Sequence, residues 1–211
     1  MMLTLRFSRP AAALAAMLAL AACSSLFGGP PESLYRLAPI RSFPAALPHR
    51  GARLVIDVPR ASPGLDTTRI AVVRPPVSFD YFADSAWTER APLLVQSALL
   101  ESFENSGRLT VLDRDSFEAE PDFVLRMELR HFEAEYLGGA AAPVARVALR
   151  VRLVSAGGRR IVAEAAFARS EKAAANDVPQ IVTALDRALE GVIGEVVAWT
   201  LGNPALSSPR R

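Results

Sequence analysis

Two kinds of periodicity assign this 211-residue chain to the α/β class. The expected architecture is a single domain in which a mixed, mostly antiparallel β-sheet carries two long amphipathic helices. Three segments of the second half alternate apolar with charged or small residues at a period of two, which puts one face of a sheet on a core and the other toward water. Two longer segments return apolar residues at three- and four-residue steps, the stripe of a helix packed on one side. Proline and glycine pairs punctuate the pattern between them. No internal repeat is present, and the length suits one core.

The chain opens on Arg6 and Arg9, followed by an apolar run of 12 residues from Ala11 to Ala22. That order is a secretory signal over residues 1–22, and the run falls short of the roughly 20 residues a spanning helix needs. Leu20-Ala21-Ala22-Cys23 closes it with the chain's only cysteine. These four residues resemble the lipobox of bacterial lipoproteins, which implies cleavage before Cys23, a diacylglyceryl group on its thiol and acylation of the new N-terminus. Two or more acyl chains anchor a protein stably to a membrane. Ser24 stands where lipoproteins retained in the inner membrane typically carry aspartate. By that resemblance the destination is the periplasmic face of the outer membrane. Residues 23–33 then form the lipidated start and a low-complexity tether, whose ten residues after the cysteine reach at most about 35 Å.

The domain itself is expected over residues 34–202. Leu34-Tyr35-Arg36-Leu37 reads as a short edge strand, and Pro39, Pro44 and Pro48 discourage regular structure after it. Arg53–Val58 and Arg69–Arg74 read as strands between proline and glycine breaks. Trp87 to Asn105 carries a helical stripe through Leu94, Val95, Ala98, Leu99 and Phe103, with Pro92 in its first turn and Gly107 ending it. Arg108–Leu112 enters another strand. The three alternating segments follow: Phe123 to Arg130, Arg146 to Leu153, and Ile161 to Phe167. Gly157-Gly158 is a hairpin signal between the last two, and Gly138-Gly139 a looser connection between the first two. A helix from Val178 to Leu201 closes the domain, with Asp177 and Gln180 spaced as in a capping box and Gly202 and Pro204 stopping it. Residues 203–211 are expected to be a disordered tail.

Charge and chemistry narrow the function. Without Arg6 and Arg9 the 24 basic residues fall to 22, against 22 acidic residues, so no basic field for nucleic acid is expected. Two histidines, His49 and His131, and a cysteine committed to the anchor give no metal-ligand spacing and no cofactor motif. His131 in a strand pattern is expected to be structural, and Asp113, Asp115, Glu118 and Glu120 solvated. Catalysis is not expected. The unusual segment is Ser78 to Trp87, which gathers four of the 15 aromatic residues into ten positions. Phe79, Tyr81 and Phe82 are candidates for an exposed partner surface, with Trp87 as an internal anchor. Burial of the whole cluster beneath the following helix is the competing expectation.

The lipobox, Leu34-Tyr35-Arg36-Leu37, the strand from Arg69 to Pro75, Tyr81-Phe82-Ala83-Asp84-Ser85-Ala86-Trp87 running into Arg90-Ala91-Pro92-Leu93, and Phe103-Glu104-Asn105-Ser106-Gly107-Arg108 occur in an order and spacing that resemble the ABC-type transport auxiliary lipoproteins. The resemblance covers essentially all of the chain after the signal. It implies a three-layer α/β domain without catalysis or cofactor. The implied partners are a mammalian-cell-entry (MCE) domain protein and an ABC permease with its ATPase, in a system moving lipids between the inner and outer membranes. Self-association into a homo-oligomer stays open. The alternative class is a periplasmic lipoprotein that activates or scaffolds a cell-envelope assembly enzyme.

Overall fold

A computed structural model describes residues 33–74, 76–112, 120–157 and 159–207. Cys23, the tether through residue 32, Asp113, Asp115, Glu118 and Gly158 lie outside the described residues. The three alternating segments form the spine of the sheet as β7 (Phe123–Glu135), β8 (Val144–Ser155) and β9 (Ile161–Lys172). Each runs antiparallel to the next, from Phe123↔Ser155 to Glu135↔Val144 and from Val144↔Lys172 to Val154↔Ile161. The other edge of β7 is shared among three short parallel strands. β2 (Arg53–Ile56) pairs with its start, β3 (Arg60–Ala61) with its middle and β4 (Arg69–Arg74) with its end. β6 (Thr110–Leu112) lies parallel outside β2, β5 (Ser78–Trp87) antiparallel outside β4, and β1 (Ser33–Tyr35) beyond β5. Among the described residues, one mixed sheet of nine strands results.

Two helices cover one face. In α1 (Ala91–Ser106) the apolar stripe buries Leu94, Val95, Leu99 and Phe103. In α2 (Val178–Gly202) Leu185, Leu189, Val192, Ile193 and Val196 are fully enclosed. Asp177 Oδ1 accepts the Gln180 N–H at 2.9 Å, so the N-cap expected from the sequence forms. The helices touch each other and pack on the buried face of the sheet. Arg126, Arg130, Arg150, Arg152 and Glu164 occupy the opposite face, the polar side of a sheet packed on one face. The proline-rich segment 36–50 ties the helices together. The Ala38 N–H donates to Asp186 of α2 at 2.9 Å, and the Ile40 N–H to Ser102 of α1, also at 2.9 Å.

Three boundaries differ from expectation. The first helix begins at Ala91, not Trp87. A helix started at Trp87 would place Pro92 in its second turn, where the missing N–H removes a bond and the ring strikes the preceding carbonyl. Residues 78–87 instead form β5, whose register with β4 jumps from Arg69↔Ala86 to Ala71↔Tyr81. Residues 82–85 therefore bulge against the single residue Ile70, and Asp84 takes a left-handed φ of 53°. Finally, the chain after Gly202 does not leave the domain at residue 203. Pro204–Ser207 turns as a short 3-10 helix and buries Leu206.

A second bulge lies in β7, where the pairing with β8 shifts between Leu129 and His131. The inward phase changes there, from Phe123, Leu125, Met127 and Leu129 to Phe132 and Ala134. Phe132 thereby meets Trp87 at a ring separation of 5.3 Å, joining the end of β5 to the core.

Candidate functional site

The aromatic segment divides at its bulge. Ser85, Ala86 and Trp87 are buried, with Trp87 only 2% exposed. The first half of β5 forms a hairpin with β4 at the sheet's edge, where Val77 is 90% and Phe79 46% exposed. Tyr81 is held from three sides. Its hydroxyl donates to the Gly64 carbonyl at 3.1 Å, the Arg69 guanidinium lies 3.8 Å above its ring, and Phe79 packs edge-on at 5.5 Å. A Cβ on Gly64 would stand 3.1 Å from the Phe79 ring, tighter than ordinary contact, so glycine lets that ring approach the 62–66 turn closely. Phe79 is therefore exposed and also fixed, the combination that makes an aromatic residue an effective anchor. Tyr81 and Phe82 are half-buried and packed against the core. Of the three candidate residues, Phe79 alone is exposed. Val77, missed in the sequence, joins it at the hairpin tip, and Leu137, 47% exposed, follows the Tyr136 N–H that bonds Val73 of β4 at 3.0 Å.

His131 Nδ1 lies 2.6 Å from Glu133 Oε1, while the other oxygen of that carboxylate accepts the Phe132 N–H at 2.6 Å. The pair clamps the β7 bulge. His49 contacts Arg108 in the loop before β2. Among the described residues, no three His, Cys, Asp or Glu side chains gather where they could hold a metal ion. No described helix is long and apolar enough to cross a membrane.

The open face of the sheet holds a cleft of about 820 Å³ between β7, β8 and the 57–62 segment. Arg60, Arg126, Arg130, Arg150 and Arg152 line it, with Asp57 and Glu128. Arg126 lies 3.6 Å from Asp57 and Arg130 3.3 Å from Glu128, whereas Arg150 and Arg152 share Glu164 of β9. Hydrogen bonds from Arg152 and Arg150 hold the Glu164 carboxyl below its ordinary pKa. Period-two spacing announced that these side chains share a face, but not that strand pairing would gather five guanidiniums over three carboxylates.

A family model described as the ABC-type transport auxiliary lipoprotein component matches residues 35–197. A protein of Bradyrhizobium diazoefficiens, itself uncharacterised, is 29% identical over 175 residues. That alignment takes in 82% of this chain, which spans only 46% of the relative's length. The crystal structure of a Xanthomonas campestris protein superposes with a TM-score of 0.75 at 25% identity, covering 80% of this chain and 94% of that one. A hypothetical protein from Chlamydia trachomatis shares the fold with a TM-score of 0.50 at 10% identity, covering 72% of this chain and 96% of its own.

Proposed function

Because the chain belongs to the ABC-type transport auxiliary lipoprotein component family, we propose that it is the non-catalytic, periplasm-facing lipoprotein subunit of a system moving lipids between the inner and outer membranes. Its partners in this reading are an MCE-domain protein and an ABC permease with its ATPase. The observation that carries it is the family match over residues 35–197, nearly all of the described domain. The fixed, exposed Phe79 at the hairpin tip supports a role in which the domain is recognised by another protein. In the same reading Cys23 is the acylated N-terminus and residues 24–33 are the tether from the outer membrane.

Copurification from detergent-solubilised membranes tests the proposal. The full chain is expected to bring down the MCE protein and the permease in comparable amounts. Recovery of a cell-wall synthase in their place would overturn the transport reading and favour the scaffold alternative. Mass spectrometry of the same material tests the anchor, which predicts an N-terminal, triacylated Cys23. Cys23→Ser is expected to leave unprocessed precursor, since the attachment and processing signals are lost together. An unmodified Cys23 in otherwise mature protein would overturn it.

A further inference from the structure

The described residues of the open face carry more arginine than carboxylate. Among the described residues at the cleft, five arginines meet three carboxylates, Asp57, Glu128 and Glu164, two more guanidiniums than carboxylates. Two details make the surplus costly in a way that a merely solvated face would avoid. Arg126 of β7 stands directly opposite Arg152 of β8, and like charges in that relation destabilise a sheet. Arg60 makes no ion pair among the described residues, although it sits in register with Glu128. Threonine or glutamine at these positions would keep the face soluble without the repulsion.

Guanidiniums present planar pairs of N–H donors that match the oxygens of a phosphate, and several converging on one cleft favour such a group over a single carboxylate. The cleft's volume of about 820 Å³ is that of a small-ligand site and not of an extended protein footprint. We propose that this cleft binds one phosphate-bearing ligand, the phosphodiester headgroup of an anionic lipid, between Arg60, Arg126 and Arg152. The charge argument stands on the structure alone, and the choice of a lipid as the source of the phosphate rests on the transport reading.

Calorimetric titration of the full chain in an uncharged detergent, at low salt, tests it with three soluble probes. Glycerophosphoglycerol, the headgroup freed of its acyl chains, is expected to bind more tightly than inorganic phosphate, and glycerol is expected not to bind. Arg60→Gln loses no ion pair, so its melting temperature should be unchanged while its affinity for the headgroup falls about tenfold, as for loss of charge-assisted hydrogen bonds. Arg126→Gln should lower the affinity as much or more, and Arg187→Gln, on the helix side, should leave affinity unchanged. Three results would overturn the proposal: inorganic phosphate binding as tightly as the headgroup, a hexaglutamate peptide binding more tightly than either, or Arg60→Gln binding like the unaltered protein. No transport partner takes part in the titration, so it can fail while the copurification succeeds, and the reverse.

Discussion

The two halves of β5 are built from the same kinds of residue and have opposite fates. After the bulge, Trp87 is sealed against Phe132 and the chain turns straight into α1. Before it, Val77 and Phe79 stand out at a hairpin tip whose outer neighbour, β1, is only three residues long. The difference is made by residues 82–85, which break the register with β4 and separate a stretch that anchors from a stretch that presents. An aromatic cluster close in sequence is thus divided into a buried and an exposed part, and substitutions should divide accordingly.

The largest effect belongs to Trp87. Trp87→Ala is expected to destabilise the domain by about 3–5 kcal/mol, the usual loss for a large ring removed from a closed core, read as a fall in the denaturation midpoint. A loss below about 0.5 kcal/mol would erase the contrast, since it is what surface positions show. Phe82 sits at the join. Half-buried against the core, it should lose about 1 kcal/mol on Phe82→Ala, roughly half the transfer value of a fully enclosed phenylalanine.

An acid titration isolates a third region from both. Asp122, just before β7, accepts the Arg53 backbone N–H at 2.9 Å and its Nε–H at 3.1 Å, and the hydrogen bond from the Arg53 side chain lowers its pKa. A carboxyl depressed in the folded state contributes stability above its unfolded value, near pH 4, and loses it as pH falls through the lower folded value. Asp122→Asn should therefore flatten part of the stability–pH curve below about pH 4 and cost less than about 1 kcal/mol at neutral pH. An unchanged acid limb would show that the Arg53–Asp122 clip contributes nothing. The smallest stability effect is expected at the tip, where Phe79→Ala should stay within about 0.5 kcal/mol while recovery of the proposed MCE partner in copurification falls. Equal losses of stability from Phe79→Ala and Trp87→Ala would make the whole cluster core and place the partner surface elsewhere.

Local signals explain what was legible beforehand. The alternation in β7, β8 and β9 and the stripe of α2 lie within single segments, and the Asp177 cap needs only a neighbour three residues away. The segment 78–87 was opaque because its bulge destroys the period of two just where the aromatic residues cluster. The same holds at Arg130, where a second bulge moves the buried phase from Leu129 to Phe132. The arginine cleft was half legible. Alternation placed its members on one face, but pairing Arg126 with Arg152 and Arg60 with Glu128 depends on registers between strands about 25 and 70 residues apart, which no local pattern encodes. Of Phe79, Tyr81 and Phe82 only Phe79 is exposed, because exposure depends on what packs behind each ring.

The divided edge of β7 also dictates a timetable. β2, β3 and β4 are all made before residue 123, yet each needs β7 as its parallel partner. Emerging from a ribosome, the N-terminal half can close the β4–β5 hairpin and the β2–β6 pair but lacks the strand that joins them into one sheet. β7, β8 and β9, by contrast, close on one another through short connections. Loop closure favours the local meander as the nucleus, with the early strands docking last and jointly. In pulse-labelled amide exchange during refolding, protection should appear first across Leu125–Leu153 and only later at Leu54–Ile56 and Ala71–Val73. Until then, β2 to β4 remain open to capture by a chaperone.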